Sequence, residues 1–248
     1  MNHSLTRIAV ATAFALVSVA ASAQDKADGL FHGNVSLGAA FSSGAVSNTT
    51  ISGVFDTARK TNDDKLSFYG VASRGTTKFV GDRESTVTSD LYRLGGRYDR
   101  DLNKVVFGFV SGELERNGVA FLDLRSAIYV GAGYHVIATP TTTFDVFGGL
   151  GYGRSKYDFF ETLSGAEVML GEESAHKLSE TTTFKQRLAV YPSLKSERGY
   201  RATFDAGLAV AMGAGWTVNV GGSVRHSNKV YTAKKTETLL TVGLGYKF

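Results

Sequence analysis

The 248 residues include 29 glycines, 2 prolines and no cysteine, with 43% hydrophobic and 11% aromatic residues and a formal charge of +4. Abundant glycine with almost no proline excludes collagen-like and Pro/Gly-rich disordered chains, and the aromatic content argues against disorder in general. Without cysteine there is no disulfide framework, thiolate metal site or cysteine nucleophile, and a mean hydropathy of −0.06 is too polar for a bundle of membrane helices.

In chain order, residues 1–23 read as a cleaved secretory signal. Arg7 gives a positive start, Ile8 to Ala20 an apolar run, and Ala21-Ser22-Ala23 the small-x-small pattern at which signal peptidase cuts. The run is too short to cross a bilayer as a helix. Residues 24–30 form a short periplasmic tail, and 31–248 read as one β domain. From Phe31 onward apolar residues alternate with small or polar ones in blocks of about ten, as in strands that show unlike faces to their two sides. Ten blocks run at about 31–42, 48–58, 64–74, 86–99, 104–114, 121–137, 142–156, 167–178, 182–192 and 200–212. An eleventh places Trp216, Val218, Val220 and Val224 on one face. The last does the same with Leu240, Val242, Leu244, Tyr246 and Phe248.

Twelve strands are an even number, and their connections alternate in length. Arg59–Asp63, Arg100–Asn103, Ala138–Thr141, Ser179–Thr181 and Gly213–Gly215 are compact, whereas Gly75–Ser85, Tyr157–Ala166 and Asn228–Lys235 are longer. Short turns at one end and longer loops at the other predict an all-β, antiparallel transmembrane β-barrel of about 12 strands, with both chain ends on the periplasmic side of a Gram-negative outer membrane. The polar face carries Asp56, Arg93, Arg97, Asp99, Asp123, Arg125, Asp145, Lys185, Arg187, Arg201, Asp205, Arg225 and Lys247. So much charge is too costly for a dry core and suits a lumen. Phe31, Tyr98, Tyr134, Phe144, Phe184, Trp216 and Phe248 fall on the opposite face at the short-turn end, as a membrane-interface girdle would. Phe41, Tyr92, Tyr152 and Tyr200 supply a sparser ring at the other end. Two blocks resist orientation. Residues 105–110 are apolar on both faces, and 167–178 put Glu172 or Glu173 outward in any register, so that strand is expected to be short or bulged.

The final Thr241-Val-Gly-Leu-Gly-Tyr-Lys-Phe248 resembles the C-terminal β-signal of bacterial outer-membrane proteins, matching at Thr241, Gly243, Tyr246 and Phe248. That resemblance implies recognition by the barrel-assembly machinery. The mature chain as a whole resembles the YdiY-like salt-induced outer-membrane proteins, a family whose domain has no established function. The resemblance rests on Phe31-His-Gly-Asn-Val-Ser-Leu-Gly38 followed by Ser43-Gly44, on Asp123-x-Arg125 with Gly131-x-Gly133-Tyr134, and on Arg225 with Lys234-Lys235-Thr236 to Phe248. In the family an asparagine follows the Ser-Gly pair directly, and here it is delayed to Asn48. The resemblance implies an outer-membrane barrel and a link to salt stress, and no chemistry.

Little in the chain points to catalysis. Arg225-His226-Ser227-Asn228 is the one place for a lipid hydrolase at the membrane rim, yet adjacent strand residues face opposite ways, so His226 and Ser227 should not pair. His32, His135 and His176 lack partners at metal-ligand spacing. Gly148-Gly-Leu-Gly151-Tyr-Gly153 mimics a dinucleotide fingerprint but opens no helix. The lumen charges admit two readings, a salt-bridged plug or a charged eyelet with a mild anion preference. Loop residues Lys195, Arg198, Lys229, Lys234 and Lys235 are candidates for lipopolysaccharide phosphates. The sequence therefore predicts a non-enzymatic structural barrel or narrow channel. It needs no cofactor or metal and binds no nucleic acid; its partners are outer-membrane lipid, lipopolysaccharide and the assembly machinery. A rim hydrolase is the alternative.

Overall fold

The computed structural model of the chain describes residues 27–43, 46–79, 81–229 and 235–248. The signal segment, with Ala21 and Ala23, and loop residue Lys234 lie outside the described residues. Twelve strands follow in order: β1 Phe31–Ser42, β2 Val46–Lys60, β3 Asp64–Phe79, β4 Thr86–Asp101, β5 Val106–Asn117 and β6 Leu122–Ala138. The second half continues as β7 Thr142–Tyr157, β8 Leu163–Lys177, β9 Thr182–Pro192, β10 Tyr200–Gly213, β11 Trp216–Ser227 and β12 Thr236–Lys247. Each pairs antiparallel with its sequence neighbours, and β12 pairs with β1 to close a barrel. Closure satisfies the strand edges that an open sheet would leave bare in hydrocarbon.

The seams are unequal. Strands β6 and β7 pair from Leu122↔Tyr157 to Ala138↔Thr143, across nearly their whole length. By contrast β1 and β12 pair only from Asn34↔Lys247 to Leu37↔Leu244, with Gly33 and Phe248 exchanging backbone hydrogen bonds at 3.1 Å just below.

Several strands run past the expected blocks. β3 continues to Phe79 and β8 begins at Leu163, so the connections expected at Gly75–Ser85 and Tyr157–Ala166 shrink to 80–85 and 158–162. The turn after β10 is tight because Ala214 and Gly215 both have positive φ, +50° and +82°, as a two-residue hairpin of primed type requires. The expectation that β8 is short or bulged is corrected. It spans 15 residues and keeps unbroken register with β7. Glu173 faces inward, and outward-facing Glu172 accepts a hydrogen bond from Gln186 Nε2 at 3.5 Å on the neighbouring strand. The uncommitted block 105–110 is also settled, with Phe107 and Phe109 inward at 2% and 4% exposure.

The outer wall is apolar, with Leu37, Ile51, Leu94, Ile128, Val130, Leu150, Leu170 and Val242 all exposed. Buried polar residues such as Asn34, Ser73, Arg97, Glu115, Glu167, Arg201 and Asn219 point into the lumen. Apolar outside and polar inside is the inversion of a soluble barrel and the architecture of outer-membrane proteins.

Candidate functional site

The lumen is built from the inward residue of every second position. β4 contributes Arg93 and Arg97, β5 Glu113 and Glu115, β8 Glu167 and Glu173, β9 Arg187, β10 Arg201 and Asp205, and β11 Arg225. Arg97 Nε donates to Asp99 Oδ1 at 2.6 Å and Arg97 Nη1 to Glu173 Oε2 at 3.2 Å. Arg187 Nη1 reaches the same Glu173 oxygen at 3.3 Å. Arg93 lies 3.9 Å from both Glu113 and Asp205, and Tyr69 donates its hydroxyl to Glu113. Toward the long-loop end, Arg225 Nη1 donates to Glu115 Oε2 at 2.8 Å and Asn117 Nδ2 to Glu237 at 3.0 Å.

Topology makes two of these contacts unusual. In a ring of twelve strands β4 and β10 stand six places apart in either direction, and so do β5 and β11. Arg93–Asp205 and Arg225–Glu115 therefore join diametrically opposite walls. Lys156, Asp123 and the bulge between Leu122 and Leu124 lie apart from this network. Asp123, expected in the lumen beside Arg125, is carried by the bulge to the rim, where it accepts from Lys156 Nζ at 2.6 Å. Arg125 itself stays inward, within electrostatic range of Glu113 and Glu115.

Aromatic rings fill the remaining space. The Arg97 guanidinium sits over Phe109 at 4.6 Å and Phe147 at 4.9 Å, and Arg201 over Tyr191 at 3.8 Å. Such stacking holds a cation against an apolar surface without a carboxylate for each charge. Inward glycines make room for the rings, since a Cβ at Gly133 would overlap Phe107 and one at Gly151 would overlap Tyr129. That is the purpose of the glycine run in β7, which opens no helix. Tyr129 donates to Glu167 at 2.7 Å and accepts from Arg201 at 3.3 Å, while Arg198 Nη2 approaches Glu167 at 3.7 Å and its Nη1 caps the Gly165 carbonyl at 2.8 Å. The 193–199 loop thus starts along the β8 edge, with Leu194 N donating to the Ala166 carbonyl, and turns the Arg198 side chain into the barrel. Arg198, expected to point toward lipid phosphates, is instead 6% exposed.

Below the cross-diameter pairs lies a cavity of about 310 Å³, lined by Asp56, Lys65, Asp99, Asp145, Glu173, Lys185 and Arg187 among others. At its short-turn rim His135 bridges Asp145 at 2.7 Å and Asp101 at 3.3 Å. Outside the barrel, Asp28 accepts from the Leu30 amide at 2.9 Å and contacts His32 Nε2 at 2.8 Å, which together hold its carboxyl below the ordinary value. The basic excess expected for the lumen is offset by Glu113, Glu115, Glu167, Glu173 and Glu237, none of which was placed inside from sequence. Parity held a clue to the first two, because carboxylates two apart on a strand share a face and belong in the lumen.

The seven short-turn-end aromatics all lie on the outward face, where Phe31 approaches Phe68 at 6.4 Å and Trp216 meets Tyr246 edge-on at 5.7 Å. Thr241 and Gly243 face inward, and Tyr246 and Phe248 outward, at the closing seam. Ser227 donates to the Lys229 carbonyl at 3.0 Å, whereas His226 contacts Thr236 at 2.9 Å and Tyr200 at 3.4 Å, so the two do not pair. Among the described residues no group of three or more His, Asp or Glu side chains is arranged so that it could hold a metal ion.

Residues 35–248 match a family described as "Protein of unknown function, DUF481". No curated protein matches the chain. Among solved structures, the chain is similar to the translocator domain of the autotransporter NalP from Neisseria meningitidis, with 18% identity, 88% of this chain and 87% of that one covered, and a TM-score of 0.45. It is also similar to the NanC porin, at 10% identity with 86% and 96% covered and a TM-score of 0.47. The KdgM porin follows, at 12% identity with 88% and 99% covered and a TM-score of 0.45. These likenesses concern the fold alone.

Proposed function

The chain belongs to the family described as Protein of unknown function, DUF481, and from that premise we propose a non-enzymatic barrel of the Gram-negative outer membrane whose lumen is barred by its own ion pairs. The observation that carries this reading is the pair of links across the diameter, Arg93–Asp205 and Arg225–Glu115. A freely conducting pore keeps its opposite walls apart and lines them with charges that meet solvent. Here those charges meet each other. On this reading the cavity beneath them serves as a vestibule rather than a passage. The chain is exported by its signal segment, inserts through its C-terminal signal, and serves the envelope structurally under salt or osmotic stress. That last role is supported only by the resemblance to the salt-induced proteins.

Planar-bilayer recording tests the plug. The refolded protein should be silent or nearly so, and removing both bars together, Glu115→Ala with Arg225→Ala and Arg93→Ala with Asp205→Ala, should produce stepwise conductance. Steady large conductance from the unmodified protein would overturn the reading.

A further inference from the structure

The outer wall is not uniformly convex. A groove of about 540 Å³ lies on the lipid-facing side of β1–β6, a size typical of ligand sites. Cross-strand register explains it. Leu37, Gly53, Ala72, Tyr92 and Arg116 form one continuous outward row, each directly opposite the next. Gly53 and Ala72 leave its middle low, with Gly70 below them in the next row, while Leu37, Tyr92 and Leu94 stand up as exposed walls. Because barrel strands tilt, the row climbs. Leu37 sits in the middle of β1, and Arg116 is next to the last residue of β5 at the long-loop rim. Arg116 is exposed; the Asp123 carboxylate lies within its electrostatic range but is hydrogen-bonded to Lys156. The neighbouring outward cations are already engaged, Arg74 with Asp90 at 2.8 Å and Lys156 with Asp123 at 2.6 Å.

We propose that this groove seats one acyl chain of a phosphorylated, multiply acylated glycolipid, the lipid A of lipopolysaccharide, with a headgroup phosphate on Arg116. The fit is one of shape and charge together. An apolar trough descends from the rim toward the membrane midplane, and an exposed guanidinium that shares Asp123 with Lys156 stands at its upper end, where a lipid headgroup lies. Arginine offers a planar fork matched to phosphate oxygens, and the adjacent Tyr92 is an interfacial residue type. The site rests on the outer-membrane placement but not on the barred lumen.

The test uses the full refolded protein in detergent, with native mass spectrometry counting bound lipid. The probes are lipid A and the same lipid stripped of its phosphates. The protein should retain one lipid A in preference to the stripped form. Arg116→Glu should lower retention of lipid A by about tenfold, Arg116→Lys should keep most of it, and Ala72→Phe should lower retention of both forms by filling the groove. Heat-dependent gel mobility confirms that each variant is a folded barrel before it is counted. Equal retention of the two lipids by the unmodified protein, or unchanged retention in both Arg116→Glu and Ala72→Phe, would overturn the proposal. Bilayer conductance reports the lumen separately, so either reading can fail alone.

Discussion

The lumen has two unlike walls. Along β11, β12 and β1 its mid-barrel residues are small and neutral: Asn34, Ser36, Thr217, Asn219, Ser223 and Thr241. Along β4, β5, β8 and β9 they are long and charged or aromatic: Arg93, Arg97, Phe109, Glu113, Glu173 and Arg187. The neutral wall flanks the short β1–β12 seam and is tied by ordinary hydrogen bonds, Thr217 to Asn34 at 3.2 Å and Asn219 to Thr217 at 3.1 Å. No ladder along the charged wall is as short as that seam, and even β8 and β9 pair from Leu170↔Val190 to Lys177↔Thr183. Strong but unforgiving interactions are thus placed where the backbone is already held, and weak, adaptable ones where the ring closes. A buried charge that loses its partner is costly, while a buried hydroxyl that loses one is a modest defect.

Substitutions on the two walls should therefore differ in scale. Arg93→Ala strips the counter-charge from Glu113 and Asp205 together and should cost about 3–5 kcal/mol, read as a fall in the urea midpoint of the liposome-embedded barrel. A loss below about 1 kcal/mol would mean that water, not Arg93, solvates those carboxylates. Thr217→Ala on the neutral wall removes the link between Asn34 and Asn219 and should cost about 1 kcal/mol by the same measurement; a loss as large as that of Arg93→Ala would erase the contrast. Smallest of all, Glu172→Gln changes an outward carboxylate held only by Gln186 and should shift stability by no more than about 0.5 kcal/mol.

The strand plan was legible because alternation is a local property. A lipid-facing side chain every second residue shows in the sequence whatever it later touches, so blocks such as 31–42 and 182–192 coincide with β1 and β9. The lumen was legible only in part. Arg93, Arg97, Asp205 and Arg225 could be assigned to one face, but not to partners four to six strands away. Phe107 and Phe109 were illegible because an aromatic ring suits either lipid or an arginine-lined interior, and only the Arg97 stack decides between them. Asp123 misled for the opposite reason, since a one-residue bulge reverses the parity on which the reading depends.

The cross-diameter pairs also have a mechanical meaning. A hollow cylinder squeezed from the side resists only by bending its wall, and an antiparallel sheet bends readily about its strands. Two links between opposite strands, β4 to β10 and β5 to β11, turn the ring into a braced frame in which lateral load passes through side chains instead of hydrogen-bond ladders. Such a frame keeps its outline when the surrounding bilayer is compressed or stretched, and the short β1–β12 seam is where it yields first.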